Sequence, residues 1–106
     1  MLEQRKKQRF KVEWEILVSG KDSAGLSFNE RGLLDNLSSR GAFLYLNRPV
    51  LIGTRLGVWI KVPYDGERWM HYSAEVIRVE TPSAKTGIAI RFIKVSPKFT
   101  SMPYAS

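Results

Sequence analysis

The chain has 106 residues, a formal net charge of +7 and no cysteine. That length supports one hydrophobic core and leaves no room for a second. The lack of cysteine excludes disulfides and thiolate metal sites, and the single histidine, His71, excludes a multi-histidine metal centre. The opening MLEQRKKQRF carries positive charge with no apolar run behind it, which is not the pattern of a signal peptide. No stretch approaches the roughly 20 apolar residues that a membrane-crossing helix needs. The expectation is a cytoplasmic protein without membrane insertion.

The charge is unevenly placed. Among the first eleven residues five are Lys or Arg, against the single acid Glu3. Such a concentration suits an anionic partner (a nucleotide, a nucleic acid or a membrane surface), although a solvated basic arm has the same composition.

From Lys11 onward the strand signals are strong and helix signals nearly absent. Val12, Trp14, Ile16 and Val18 alternate with Lys11, Glu13 and Glu15, the period-two pattern of a half-buried strand. Residues 19–25 read as a turn by composition, and Leu26 to Leu37 as a second strand interrupted near Asn29 to Gly32 by charge and glycine. Ala42 to Leu46 is a short apolar strand, closed by Asn47-Arg48-Pro49 because proline cannot donate to a ladder. Gly53-Thr54 turns the chain into the alternating Leu56, Val58, Ile60, Val62, and Pro63-Tyr64-Asp65-Gly66 is a hairpin turn. A long strand from about Glu67 to Val79, a loop from Glu80 to Thr86 and a last strand from Gly87 to Val95 complete the count. Residues 96–106 hold two prolines and only a turn's worth of helical promise. Six or seven antiparallel strands joined by short turns predict a small barrel or sandwich.

Two short segments carry most of the functional information. Arg5-Lys6-Lys7-Gln8-Arg9 spaces two arginines R-x-x-x-R in the basic arm, and Asn36-Leu37-Ser38-Ser39-Arg40-Gly41 reads [D/N]-x-S-x-x-G between two strands. The planar guanidinium of arginine makes paired hydrogen bonds to phosphate oxygens and other planar acceptors. On an extended backbone Asn36 and Ser38 point the same way, the first able to accept through its amide oxygen and the second to donate or accept. Gly41 permits a positive φ or a close approach of backbone to ligand. On a regular strand Asp35 faces away from Asn36, and a one-residue bulge would reverse that. Taken singly, the first segment is more commonly a solvated arm, and the second fits an ordinary hairpin connection.

In this order and spacing, followed by Gly87, Arg91 and Phe92 in a G-x-x-x-R-F-like last strand, the residues resemble the PilZ domain, a bacterial receptor module for cyclic di-GMP. The resemblance covers the chain as a whole. It implies an all-β fold, a small six-stranded antiparallel β-barrel of the split-barrel type. A flexible basic arm (residues 1–10) would precede the barrel (11–96), and a tail (97–106) too short for the C-terminal helix of many members would follow. It assigns the phosphates and Hoogsteen edges of cyclic di-GMP to Arg5 and Arg9, and the barrel-surface half of the site to Asn36, Ser38 and Gly41. Gln4 stands where many relatives carry a further arginine linked to binding a stacked ligand dimer. No cofactor besides the ligand is implied.

The implied function is a second-messenger receptor in which the ligand orders the arm and alters a surface for a protein partner. A PilZ-like adaptor that binds no nucleotide is the alternative. A basic barrel binding nucleic acid is a third reading, weakened because the positive charge lies in the arm and the aromatics are not clustered on one strand pair. No nucleic-acid partner is therefore expected. Trp14, Trp59 and Trp69 read as packing residues, and Arg78 as either a third ligand contact or an ion-pair partner of Glu75 or Glu80. No pairing of acids and no base near Ser38 suggests a nucleophile or a general acid, so an enzyme is not expected.

Overall fold

The computed structural model describes residues 10–11, 14–62, 68–81, 84–94 and 97–100. They form eight strands: β1 (Phe10–Lys11), β2 (Glu15–Lys21), β3 (Ser27–Leu37), β4 (Gly41–Leu46), β5 (Arg55–Lys61), β6 (Trp69–Glu80), β7 (Thr86–Phe92) and β8 (Lys98–Thr100). All the pairings are antiparallel. The sheet runs β3-β2-β5-β6-β7-β4, and β4 pairs back onto β3, so six strands close a barrel without a free edge between first and last. β1 pairs β3 beside the same edge that β2 occupies, and β8 pairs β6.

The barrel is filled by the inward half of each alternating pattern. Ile16 and Val18 of β2, Leu44 of β4, Val58 and Ile60 of β5, Val76 of β6 and Ile88 of β7 are fully buried. Burying a Val, Leu or Ile side chain contributes about 1.5–3 kcal/mol, so this interior is the main source of stability. Tyr72 and Phe92 stack across β6 and β7 with ring centroids 3.8 Å apart. Trp14 packs partly buried against the core, and Trp69 is buried.

Several expected boundaries move, each for a physical reason. β2 continues through Gly20 to Lys21, because both stay paired with Phe28 and Ser27 of β3, and Gly20 makes room for Leu56 of the neighbouring strand, whose Cδ2 a Cβ would meet at 2.5 Å. The chain reverses instead at Asp22, whose carboxylate accepts from the backbone N–H groups of Ala24 and Leu26, both at 3.0 Å. The bond from Leu26 is the main reason the Asp22 pKa lies below the ordinary aspartate value. β3 runs unbroken through 29–32, since its charged residues have partners on the outer surface. Arg31 bridges Glu15 at 2.7 Å, and Glu30 accepts from Arg48 at 2.9 Å. β6 is Trp69–Glu80, and β7 ends at Phe92. The expected turn at 63–66 lies outside the described residues. The segment expected as a tail contains β8, with Trp69 opposite Thr100.

His71 stacks on Trp59 across β5 and β6 at 4.5 Å. Burial, and then the charge of Lys98 opposite it on β8, hold its pKa below the ordinary 6.5. The folded state therefore binds the proton less readily than the unfolded chain. Stability from this residue is complete above about pH 6.5 and is lost as the pH falls from there through the lower folded value. Urea titrations between pH 8 and pH 5 are expected to show falling stability on the acid side. His71→Gln should flatten that part of the curve, and an unchanged slope would exclude His71 as its cause.

Candidate functional site

The N-x-S-x-x-G segment is the β3–β4 hairpin, built as a tight turn from Ser38 to Gly41. The Ser38 backbone N–H donates to Gly41 O at 2.9 Å. The Ser38 hydroxyl accepts from the N–H groups of Arg40 and Gly41 and can donate to Gly41 O, at 3.3 Å in each case. Ser38 is thus engaged by its own turn, its two lone pairs and its proton all taken up in long bonds that a ligand would have to compete with. The Arg40 carbonyl accepts from Phe92 N–H at 2.8 Å, tying the turn to the end of β7. The Arg40 side chain itself is exposed.

Gly41 is required for a reason the sequence did not separate. Among the described residues the positive-φ glycines are Gly25 and Gly53, so Gly41 is not held in a left-handed conformation. A Cβ at Gly41 would instead stand 2.1 Å from Ile90 O. The close approach is between two strands of the barrel, β4 and β7, rather than one the structure shows toward a ligand.

β3 carries a bulge between Leu34 and Asn36: Leu34 faces Leu44, and the next paired residue is Asn36, opposite Phe43. Asp35 is the extra residue. The bulge resets the alternation, so that Leu37 packs against the core while Asn36 does not. It also brings the neighbouring side chains together, Asn36 Nδ2 donating to Asp35 Oδ2 at 3.3 Å. Both of the alternatives open at Asp35 and Asn36 are therefore on one surface.

A second bulge on β6, between Val76 and Arg78, does the same on the opposite flank. Asn36, Phe43, Ala89 and Arg78 are aligned across β3, β4, β7 and β6 by successive pairings. The Phe43 ring meets Tyr45 edge-on at 5.3 Å and lies across Gly87, and the Arg78 guanidinium sits 5.6 Å from its centroid. Arg78 also bridges Glu80 at 2.9 Å, while Glu75 pairs with Arg91. Alternation on β4 shows Phe43 and Tyr45 on one face. It does not show that the bulges place Arg78 against them, so sequence reasoning missed this row.

Arg5 and Arg9 lie outside the described residues. The described backbone nevertheless constrains them covalently. Phe10 pairs with Leu37 and Lys11 with Asn36, so the arm joins the barrel at the N-x-S-x-x-G hairpin. One peptide step of about 3.8 Å separates the Cα of Arg9 from that of Phe10, and five residues reach at most about 18 Å. Among the described residues no cluster of His, Asp or Glu could hold a metal ion, and no helix is long and apolar enough to cross a membrane.

The PilZ domain family model matches residues 3–100. Among solved structures, the chain is similar to the inhibitor of motility MotI/DgrA of Bacillus subtilis (TM-score 0.66, 18% identity), covering 89% of this chain and 44% of that one. It is also similar to the PilZ domain of YcgR from Escherichia coli with c-di-GMP (TM-score 0.56, 17% identity), covering 88% of this chain and 82% of that one. At these identities the likeness concerns the fold. No curated protein matches.

Proposed function

Because the chain belongs to the PilZ domain family, we propose that it is a bacterial, cytoplasmic receptor for cyclic di-GMP. The observation that carries this reading is the Phe10–Leu37 pairing, which attaches the arginine-bearing arm beside the hairpin of the second motif. Arg5 and Arg9 supply guanidinium forks for phosphate and guanine edges, and Asn36 and Ser38 supply the neutral half of the site. Gly41 holds the turn against β7. The ligand, bridging arm and hairpin, fixes the arm over the barrel and changes the surface offered to a protein partner. The similar YcgR PilZ domain, solved with c-di-GMP, supports the use of this barrel for that nucleotide.

Calorimetric titration of the full chain with cyclic di-GMP tests the reading and gives affinity and molar ratio together. Saturable micromolar or tighter binding is expected. The absence of heat and of any thermal stabilisation at millimolar nucleotide would overturn it. That outcome would leave the second reading, an adaptor that acts by protein contact alone. Two observations favour this second reading: the similar MotI/DgrA structure is named as an inhibitor of motility, and Ser38 is already engaged within its own turn.

A further inference from the structure

We infer that Asp35 sets the base selectivity of the site by orienting the amide of Asn36, an inference that rests on the receptor reading above. The N-x-S-x-x-G motif presents a neutral amide at its first position. An amide has two unlike ends, a carbonyl that accepts and an NH2 that donates, and rotation by half a turn exchanges them. An ionised carboxylate only accepts. Because the β3 bulge sets Asp35 and Asn36 together opposite Phe43, with Asn36 Nδ2 donating to Asp35 Oδ2 at 3.3 Å, one N–H is held by Asp35 and the NH2 end is turned toward it. The Asn36 carbonyl oxygen is the end left to meet a base.

That orientation discriminates between purines. The Watson–Crick edge of guanine offers two adjacent donors, N1–H and the N2 amine, which a directed carbonyl accepts. Adenine offers N1 as an acceptor beside its N6 amine, so a carbonyl that meets two donors on guanine meets only one on adenine and faces the N1 lone pair, which an NH2 would satisfy. Without Asp35 the amide turns to suit either base. The bulged pair thus gives an asparagine the acceptor character of an aspartate.

The test is titration of the full chain with cyclic di-GMP and with cyclic di-AMP, for wild type, Asp35→Ala and the double variant Asp35→Ala/Asn36→Asp. Mismatch of one buried donor–acceptor pair is worth about tenfold or more, so Asp35→Ala should lower the guanine-to-adenine affinity ratio by at least about that factor. The double variant should restore it, because a carboxylate accepts in either orientation. A merely structural Asp35 would weaken both nucleotides alike and leave the ratio unmoved, which would overturn the inference; so would failure of the folded double variant to regain selectivity. Thermal melts check folding, and if Asp35→Ala is unfolded the near-isosteric Asp35→Leu, which has no acceptor, decides. A lowered ratio in Asp35→Leu supports the orientation, and an unchanged one excludes it. Wild type that binds neither nucleotide removes the receptor reading itself and this inference with it, whereas wild-type binding with an unmoved ratio removes the inference alone.

Discussion

Arg9→Ala is expected to weaken cyclic di-GMP binding by about ten- to a hundredfold, with little change in thermal midpoint. A hydrogen bond to a charged group contributes roughly 1.5–3 kcal/mol, and each 1.4 kcal/mol is a factor of ten in affinity. Arg9 precedes Phe10, whose backbone is paired with Leu37 at the hairpin, so it is the arm arginine with the shortest covalent tether to the site. The fold should persist, because the buried interior is assembled from β2 to β7. Arg9→Lys keeps the charge but loses the planar fork, and should recover only part of the affinity. Calorimetry on the two variants checks this. Unchanged affinity in Arg9→Ala would remove that arginine from the mechanism.

The second large effect falls on stability. Gly41→Ala would force a Cβ to within 2.1 Å of the Ile90 carbonyl oxygen, and both groups are backbone-fixed. Relief requires β4 and β7 to move apart along a pairing that runs from Gly41–Arg91 to Leu46–Thr86. Overpacking of a tight interior typically costs 1–3 kcal/mol, and with no flexible side chain to yield the cost here should be about 3 kcal/mol or more. Ser39→Ala, two residues away on the exposed side of the same turn, should stay within about 0.5 kcal/mol of wild type. Urea denaturation of both variants separates the outcomes. Wild-type stability in Gly41→Ala would mean that β4 and β7 are not clamped at this point. Loss of nucleotide binding in this variant reports the barrel as much as the ligand contact.

The contrast between these two residues shows how much of the protein could be read before its structure. The alternation of Ile16 and Val18, of Leu56, Val58 and Ile60, and of Ile88 and Ile90 gave the strands and the side facing the interior, because period-two burial depends on neighbours in the sequence. Closure of six strands into a barrel came from the family resemblance, which the structure bears out, while the pairing of β3 with β4 that closes it is seen only in the fold. What stayed hidden depends on residues distant in the chain. The apparent break at Asn29 to Gly32 disappears once Glu15 and Arg48 are seen to form ion pairs with Arg31 and Glu30. A strand at Lys98–Thr100 is too short to leave a pattern, and only β6 reveals it. Gly41 was read as permitting a positive φ or a close approach of backbone to ligand, and no local signal says that the backbone approaching it is β7. The bulge at Asp35 was an open alternative because one inserted residue leaves composition unchanged. It becomes definite only from the pairing of Leu34 with Leu44 and of Asn36 with Phe43.

The central claim is that the arm and the β3–β4 hairpin hold one ligand between them. Backbone NMR titration of the full chain with cyclic di-GMP tests it most directly, following the amides of residues 4–9 and of residues 36–41 in the same samples. The account predicts that both segments respond along binding curves with one shared dissociation constant, and that the arm amides gain protection from exchange at saturation. A response confined to either segment, or two unrelated dissociation constants, would contradict it.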